Sequence, residues 1–338
     1  MGNQDGKFLM KKNVSTITTI NSIDDTFVQN VVNHGYECFI VGDKKTDSNS
    51  YKNKKSVNYI PTECDLFPEF SESLPYNHYC RKNLGYLHAI KRQAACILDT
   101  DDDNFPTGNI SEWYKLKHRY VTGPNIPNML KYFSDQHIWA RGYPLELVNK
   151  TTELATRSVN NSDLDSVGIV QSLVNGDPDV DAIFRLTSKE YTNNFQFEPG
   201  KSYIMDTGVY SQGNTQATLW VNPELFHLLY IPVTVSFRFC DILKMYVAQR
   251  CMWEHDCLFA ITSPFFHQTR NAHDYMKDFE SEVSMYTCLH DLLTDILPSI
   301  KLTGDIYDIV RVYEVLAKKN IVKEDELIIL KQFLQNIQ

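Results

Sequence analysis

The chain has 338 residues, a formal net charge of −9, and hydrophobic side chains at 43% of its positions. A net negative charge speaks against a dedicated nucleic-acid binder, which needs a basic surface to neutralise phosphates. The apolar and aromatic content is enough for a large core, so disorder is excluded for most of the chain.

Met1 to Leu9 are mostly polar, precede a second methionine at Met10, and are set outside the fold. Val14 to Ile20 is β-branched almost throughout and predicts a strand; beyond Asn21, Phe27, Val28, Val31 and Val32 follow a helical repeat. Glu37 to Gly42 is a short apolar run closing on Asp43-Lys44-Lys45, which predicts a buried strand with a polar loop at its carboxyl end. Val57 to Ile60 is a third strand. Arg81 to Ile90 has helical spacing, and Ala94 to Leu98 is a buried strand running into Asp99-Thr-Asp-Asp-Asp-Asn104. This alternation predicts an α/β fold with a mostly parallel sheet flanked by helices, whose ligands bind beyond the carboxyl ends of the strands. From about 130 to 240 the pattern is mixed; Thr234 to Phe237 is strand-like, and Ile242 to Ala248 is helical. Ile306, Ile309, Val310, Tyr313 and Leu316, then Leu327, Leu330, Phe333, Leu334 and Ile337, predict a packed helical tail from about 275.

No stretch approaches the roughly 18–20 apolar residues of a membrane-spanning helix, and the N-terminus lacks a signal-peptide pattern. Eight cysteines are scattered without a CxxC pair, which fits reduced thiols better than a disulfide frame or a zinc site. The expectation is a soluble, cytoplasmic protein.

Asp99, Asp101, Asp102 and Asp103 crowd four carboxylates into five residues after a buried strand, and a divalent cation relieves their repulsion most simply. Mg²⁺ or Mn²⁺ prefers carboxylate oxygens, and Mg²⁺ commonly binds through one or two of them plus substrate phosphates. In an extended chain Asp99 and Asp101, or Asp101 and Asp103, face the same side. A solvated acidic turn or a calcium-stabilised loop is the alternative. Lys44, Lys45, Arg81 and Lys82 lie at neighbouring element ends; with a metal they form the clamp that a diphosphate leaving group requires.

The order Cys80-Arg-Lys-Asn-Leu-Gly-Tyr-Leu-His-Ala-Ile90, then Ile97-Leu-Asp-Thr-Asp-Asp-Asp-Asn104, resembles the STELLO-type glycosyltransferase-like family and, more distantly, inverting nucleotide-sugar transferases of GT-A fold. Blocks at Trp139 to Leu145, Val180 to Leu186, Ile231 to Arg238 with Asp241, Tyr246 to Gln249, and Arg270 to His273 with Lys277 and Asp278 extend the likeness over about residues 14–335. The resemblance implies a GT-A-like (Rossmann-like) catalytic domain over 10–270 and a C-terminal helical extension over 271–338. It implies a metal-dependent glycosyltransferase moving a sugar from a nucleotide-diphosphosugar, a UDP-sugar by analogy, to a glycan or glycoconjugate acceptor.

Carried over residue by residue, Asp43 contacts the base or ribose, Thr19, Lys44, Arg81 and Asn83 line the donor, and Asp99 touches the ribose or the metal shell. Asp101 and Asp103 supply ligands to Mn²⁺ or Mg²⁺. Whether the metal pair is Asp99 with Asp101, or Asp101 with Asp103 as in plant reversibly glycosylated proteins, stays open. Inverting transfer needs a carboxylate to deprotonate the acceptor hydroxyl. Asp241, at the start of a helix and near its favourable dipole end, takes that place or is only an N-cap, with Arg238 orienting it, holding a phosphate or sitting in a buried ion pair. Arg141 serves the donor or anchors a turn, and His273 folds back toward the metal or diphosphate or is a hydrogen-bonded structural residue. Ser211 to Thr215 is a polar loop suited to sugar hydroxyls; Trp139, Tyr143 and Trp220 stack on sugars or fill the core. A nucleotide-sugar mutase and a non-catalytic nucleotide-sugar-binding module are the alternatives. The membrane anchors and long extensions of plant STELLO proteins are not expected, so a Golgi setting and a cellulose-synthase partnership are not carried over.

Overall fold

In the computed structural model, β1 (Asn13–Thr18), β2 (Tyr36–Val41) and β3 (Val57–Ile60) pair in parallel, and β4 (Cys96–Thr100) joins the other side of β1. Residues 12–19, 23–51, 54, 56–123, 125–150, 153–188, 194–269 and 274–338 are described. Helix α1 (Asp25–Asn33) connects β1 to β2, is capped by Asp24, whose side chain accepts from Thr26 N, and buries Phe27, Val28 and Val31. Helices α2 (Pro68–Ser73) and α3 (Lys82–Lys91) lead from β3 to β4. The 3-2-1-4 parallel order is Rossmann-like and brings the carboxyl ends of β1, β2 and β4 to one edge, the ligand edge of such sheets.

The sheet continues through β5 (Asn104–Pro106), β6 (Lys117–Val121), β7 (Thr156–Arg157), β8 (Val167–Asn175), β9 (Lys201–Met205), β10 (Ala217–Trp220) and β11 (Leu258–Gln268). The full order is β3-β2-β1-β4-β10-β8-β11-β9-β6-β7, with β5 paired to β11. Strand β10 runs antiparallel between β4 and β8, so the expected parallel character is concentrated in the N-terminal half and the remainder is mixed. Short helices α4 (Asn161–Asp165) and α5 (Ala182–Thr187) precede and follow β8.

Helix α6 (Cys240–Met252) is buried along its whole length, which explains why no clear apolar stripe marks it in the sequence. It is followed by α7 (Tyr275–Asp291), α8 (Leu297–Ser299), α9 (Asp308–Lys318) and α10 (Glu326–Ile337). One apolar layer holds Ile17, Phe27, Val31, Ile40 and Leu98; the other holds Phe39, Leu84, Tyr86, Ile97 and α6, and takes in Leu316, Leu330 and Phe333 from the C-terminal helices. The helical tail therefore shares the sheet's own core, with Phe333 5.9 Å from Phe70 and 5.4 Å from Tyr230 between ring centroids. Among the described residues no helix is long and apolar enough to cross a membrane.

Two local expectations change. Thr234 to Phe237 is not a strand but irregular chain leading into α6. Strand β4 continues past Leu98 through Thr100, drawing Asp99 into the sheet opposite Thr16 of β1 and Thr218 of β10.

Candidate active site

The extra length of β4 divides the acidic cluster. Side chains alternate along a strand, so Asp99 points with Ile97 into the helical layer, where it is fully buried. Lys82 Nζ of α3 lies 2.7 Å from Asp99 Oδ1, Lys244 Nζ of α6 lies 2.9 Å from Oδ2, and the Tyr86 hydroxyl donates to Oδ2 at 2.6 Å. Burial pushes the Lys82 ammonium down, but Asp101 and Asp99 outweigh it and hold it above its usual range; for Lys244 burial prevails over Asp99 and the shift is downward. Asp99, expected at the ribose or the metal shell, thus joins α3, α6 and the sheet and is not among the residues lining the cleft.

The chain leaves the sheet after Thr100, and Asp101, Asp102 and Asp103 reach an open cleft of about 420 Å³ at the carboxyl edge. Asp101 Oδ1 accepts from the Tyr79 hydroxyl and from Lys82 Nζ, the latter at 3.1 Å. Burial raises the Asp101 carboxyl above the usual carboxylate range, against the pull of Lys82 and Tyr79. Asp102 Oδ2 accepts from the Thr19 hydroxyl at 2.5 Å, and Asp103 accepts from Gln268 Nε2 at 2.9 Å and Asn104 Nδ2 at 2.8 Å.

The opposite wall is built around Arg141. Gly142, at φ +88°, lets that backbone lie against α6: a Cβ there would sit 2.6 Å from Ile242 Cγ2. Arg141 Nη1 and Nη2 each donate to Asp241 at 2.8 Å, and Nε and Nη2 donate to Asp179 at 2.9 and 2.7 Å. Burial lowers the guanidinium's affinity for its proton, but the two carboxylates overcome this and hold it charged. Arg238 does not orient Asp241. Its guanidinium turns to Glu282 of α7, with Nη2 2.7 Å from Oε1, and the orienting contact belongs to Arg141. Asp241 lies in the first turn of α6, as expected.

The cleft gathers Thr19, Asp43, Arg81, Asp101, Asp103, Arg141, Arg238 and Asp241. Arg81 is buried at its wall, donates to the carbonyls of Thr62, Ser71 and Leu74, and has no carboxylate partner among the described residues; its Nε is unpartnered. A buried, uncompensated guanidinium beside an acidic cluster suits a ligand carrying negative charge. Lys44 is exposed and stacks 3.8 Å over the Tyr76 ring, while its neighbour Lys45 lines the cleft. Asn83 is buried and exchanges two hydrogen bonds with the backbone of Ile231, at 2.8 and 2.9 Å, so it is a clamp inside the fold. His273 lies outside the described residues. Trp139, Tyr143 and Trp220 are buried in the core.

Sequence reading missed Tyr79, Asp179, Gln216, Phe237 and Gln268, all of which line the cleft. Asp179 carried a signal: Asp177-Pro-Asp179-Val-Asp181 follows β8 just as the other acidic run follows β4. The two glutamines carried none, because a chain of side-chain contacts between distant segments gives them their place. Gln268 donates to Asp103 and accepts from Gln216 Nε2 at 2.6 Å; Gln216 N donates to Asn214 Oδ1 at 2.9 Å, and Asn214 Nδ2 donates to Asp179 at 2.7 Å. With Arg141, this path connects Asp103 to Asp241.

The donor set suits a hard cation in part. Asp101 and Asp103 offer carboxylate oxygens at the cleft, yet among the described residues no three His, Cys, Asp or Glu side chains converge as a complete cage.

No protein-family model matches the chain. "Probable glycosyltransferase STELLO1" of Arabidopsis thaliana is 27% identical over 254 residues, covering 69% of this chain and 32% of the relative. The chain resembles the STELLO-type family. "Probable glycosyltransferase STELLO2" of the same plant is 25% identical over 259 residues with the same coverage, so the chain spans about a third of the length of these STELLO relatives. Among solved structures, a crystal structure of a mycobacterial protein aligns with a TM-score of 0.40 at 12% identity, covering 87% of this chain and 77% of that one.

Proposed function

We propose that the cleft binds a nucleotide-diphosphosugar, with UDP as the nucleotide, and passes the sugar to a glycan or glycoconjugate acceptor with inversion. One observation carries the reading: within a single cleft of about 420 Å³, the Asp101–Asp103 run and Arg81 face a carboxylate, Asp241, set on a separate helix. Likeness to proteins named as probable glycosyltransferases supports the same reading.

Asp101 and Asp103 hold Mn²⁺ or Mg²⁺ in this reading, and the ion's chemistry is to neutralise a diphosphate leaving group. Thr19 and Asp43, at the ends of β1 and β2, take the nucleoside, and Arg81 adds positive charge near the phosphates. Asp241 accepts the proton of the acceptor hydroxyl; Arg141 keeps it aimed, and each carboxylate oxygen retains a lone pair beyond that contact. The setting is cytoplasmic, in keeping with eight unpaired cysteines.

Thermal-shift titration of the chain with UDP, GDP and CMP, each with and without Mn²⁺, tests the reading. Stabilisation by UDP that depends on Mn²⁺ is expected. No shift with any nucleotide would sink it. Conversion of a UDP-sugar to an isomer without an acceptor would identify a mutase instead.

A further inference from the structure

Between Tyr230 and α6 the chain runs without sheet partners, yet Phe237 and Arg238 form part of the cleft wall and Asp241 follows directly. Irregular backbone at this depth needs partners for its N–H groups; Asn83 of α3 takes that of Ile231, and the C-terminal helices take those of Val233 and Thr234. Glu326, fully buried in the first turn of α10, accepts from the Tyr230 hydroxyl at 2.5 Å, Val233 N at 2.9 Å, Thr234 N at 2.7 Å and Thr234 Oγ1 at 2.6 Å. The Thr234 hydroxyl in turn accepts from Lys323 N at 3.0 Å, tying the segment to the chain just before the helix. Glu282, fully buried in α7, accepts from Arg238 Nε at 2.9 Å and from Ala182 N, at the start of α5, at 2.8 Å.

Neither glutamate lines the cleft, and a buried carboxylate is a poor choice for stability alone, because an apolar residue of similar volume often serves as well or better. What these two share is the segment they hold. Phe237, within it, is 52% exposed and stands edge-on to Tyr79 and His78, with ring centroids 5.7 and 6.1 Å away. An exposed aromatic ring beside a carboxylate is a surface on which a sugar ring can lie.

We propose that Glu326 and Glu282 are positioning residues, by which the C-terminal helices fix the Val233–Arg238 wall and hence the placement of Phe237 and Asp241 around the sugar. The nature of what the wall faces rests on the nucleotide-sugar reading; the fixing of the wall does not.

Hydrogen exchange on the full chain tests this directly. In Glu326→Gln, whose amide turns N–H donors toward Val233 and Thr234, backbone amides of residues 233–239 are expected to exchange about ten- to a hundredfold faster, while β1 and β4 stay protected. Thr234→Val, which keeps the carboxylate and removes one donor, gives a smaller change in the same direction and serves if the first variant does not fold. Leu316→Ala, a cavity in α9, is the control for general loosening. Turnover of UDP-glucose should fall in Glu326→Gln while UDP affinity with Mn²⁺ is unchanged, a split that general destabilisation does not produce. Exchange at 233–239 that stays at the wild-type rate, or rises no more than in Leu316→Ala, overturns the proposal. Failure of the wild-type chain to bind UDP overturns the nucleotide reading and leaves the exchange result to decide the role of the glutamates.

Discussion

Arg141 grips Asp241 as a fork, each terminal nitrogen 2.8 Å from a different carboxylate oxygen, and the same guanidinium holds Asp179. All three side chains are largely shielded from solvent. Removing the cation leaves two carboxylates facing each other in a poorly solvated wall, so Arg141→Ala should lower the unfolding free energy by about 3–5 kcal/mol. Urea unfolding measures this. Arg141→Lys restores the charge without the planar fork and should recover only part of the loss. Equal stability of all three proteins would mean the fork holds nothing together.

Asp241→Asn keeps the shape of that wall and removes the proton acceptor. Turnover of a UDP-sugar should fall by roughly 10²–10⁴-fold, the usual share of general base catalysis. Calorimetric affinity for UDP with Mn²⁺ should be spared, because Asp241 sits apart from the Asp101–Asp103 run. A fully active variant would remove Asp241 from the base role.

Asp99 and Asp101 are two residues apart and should behave as different kinds of residue. Asp99→Asn leaves Lys244 buried without its carboxylate and should cost about 3–5 kcal/mol in stability, with the Mn²⁺-dependent response to UDP still present in the folded fraction. Asp101→Ala should abolish the Mn²⁺-dependent response at a much smaller cost in stability. The reverse pattern would assign the metal to the Asp99 pair.

This division shows where sequence reading stops. Hydrophobic runs located β1 to β4 and the C-terminal helices, because each buries a face whose period is visible in the residues themselves. Asp43, Asp101, Asp103 and Asp241 meet at one cleft because each stands at the end of a strand or the start of a helix whose hydrophobic run is visible in the sequence. Asp99 differs from the expectation because β4 runs two residues past Leu98, which keeps this side chain within the sheet and out of the loop that follows it. The near neighbour Arg238 is expected to orient Asp241, hold a phosphate or form a buried ion pair; it forms the ion pair, and the fold supplies Arg141 to Asp241 from 100 residues away. Arg238 turns to Glu282 on a helix beyond the expected domain boundary, a pairing with no local signature.

Gln268 offers a test of indirect control over Asp103. Its Nε2 donates to Asp103 because its Oε1 already accepts from Gln216, so the amide cannot turn. Gln268→Leu should weaken Mn²⁺ binding in the presence of UDP by about ten- to a hundredfold, the usual effect of losing a group that orients a ligand. Binding of UDP without metal should be unaffected. Equal loss in both conditions would mean that Gln268 touches the nucleotide itself.

Asp181 carries a pH dependence whose sign can be stated in advance. Burial raises its carboxyl from the ordinary 3.8 to about 6, with Glu282 adding to the rise and the Phe184 N–H, Trp139 and Arg238 opposing it. The folded state therefore holds a proton that the unfolded state has released between pH about 4 and 6, and stability falls as pH rises through that window, by on the order of 3 kcal/mol. The contribution is fully present below the unfolded value and lost above the folded one. Asp181→Asn stays neutral in both states and keeps an acceptor for the Phe184 N–H, so its stability should improve relative to wild type from pH 4 to pH 7. Urea midpoints at both pH values measure the difference, and a gap that does not change with pH would show that Asp181 titrates as an ordinary carboxylate.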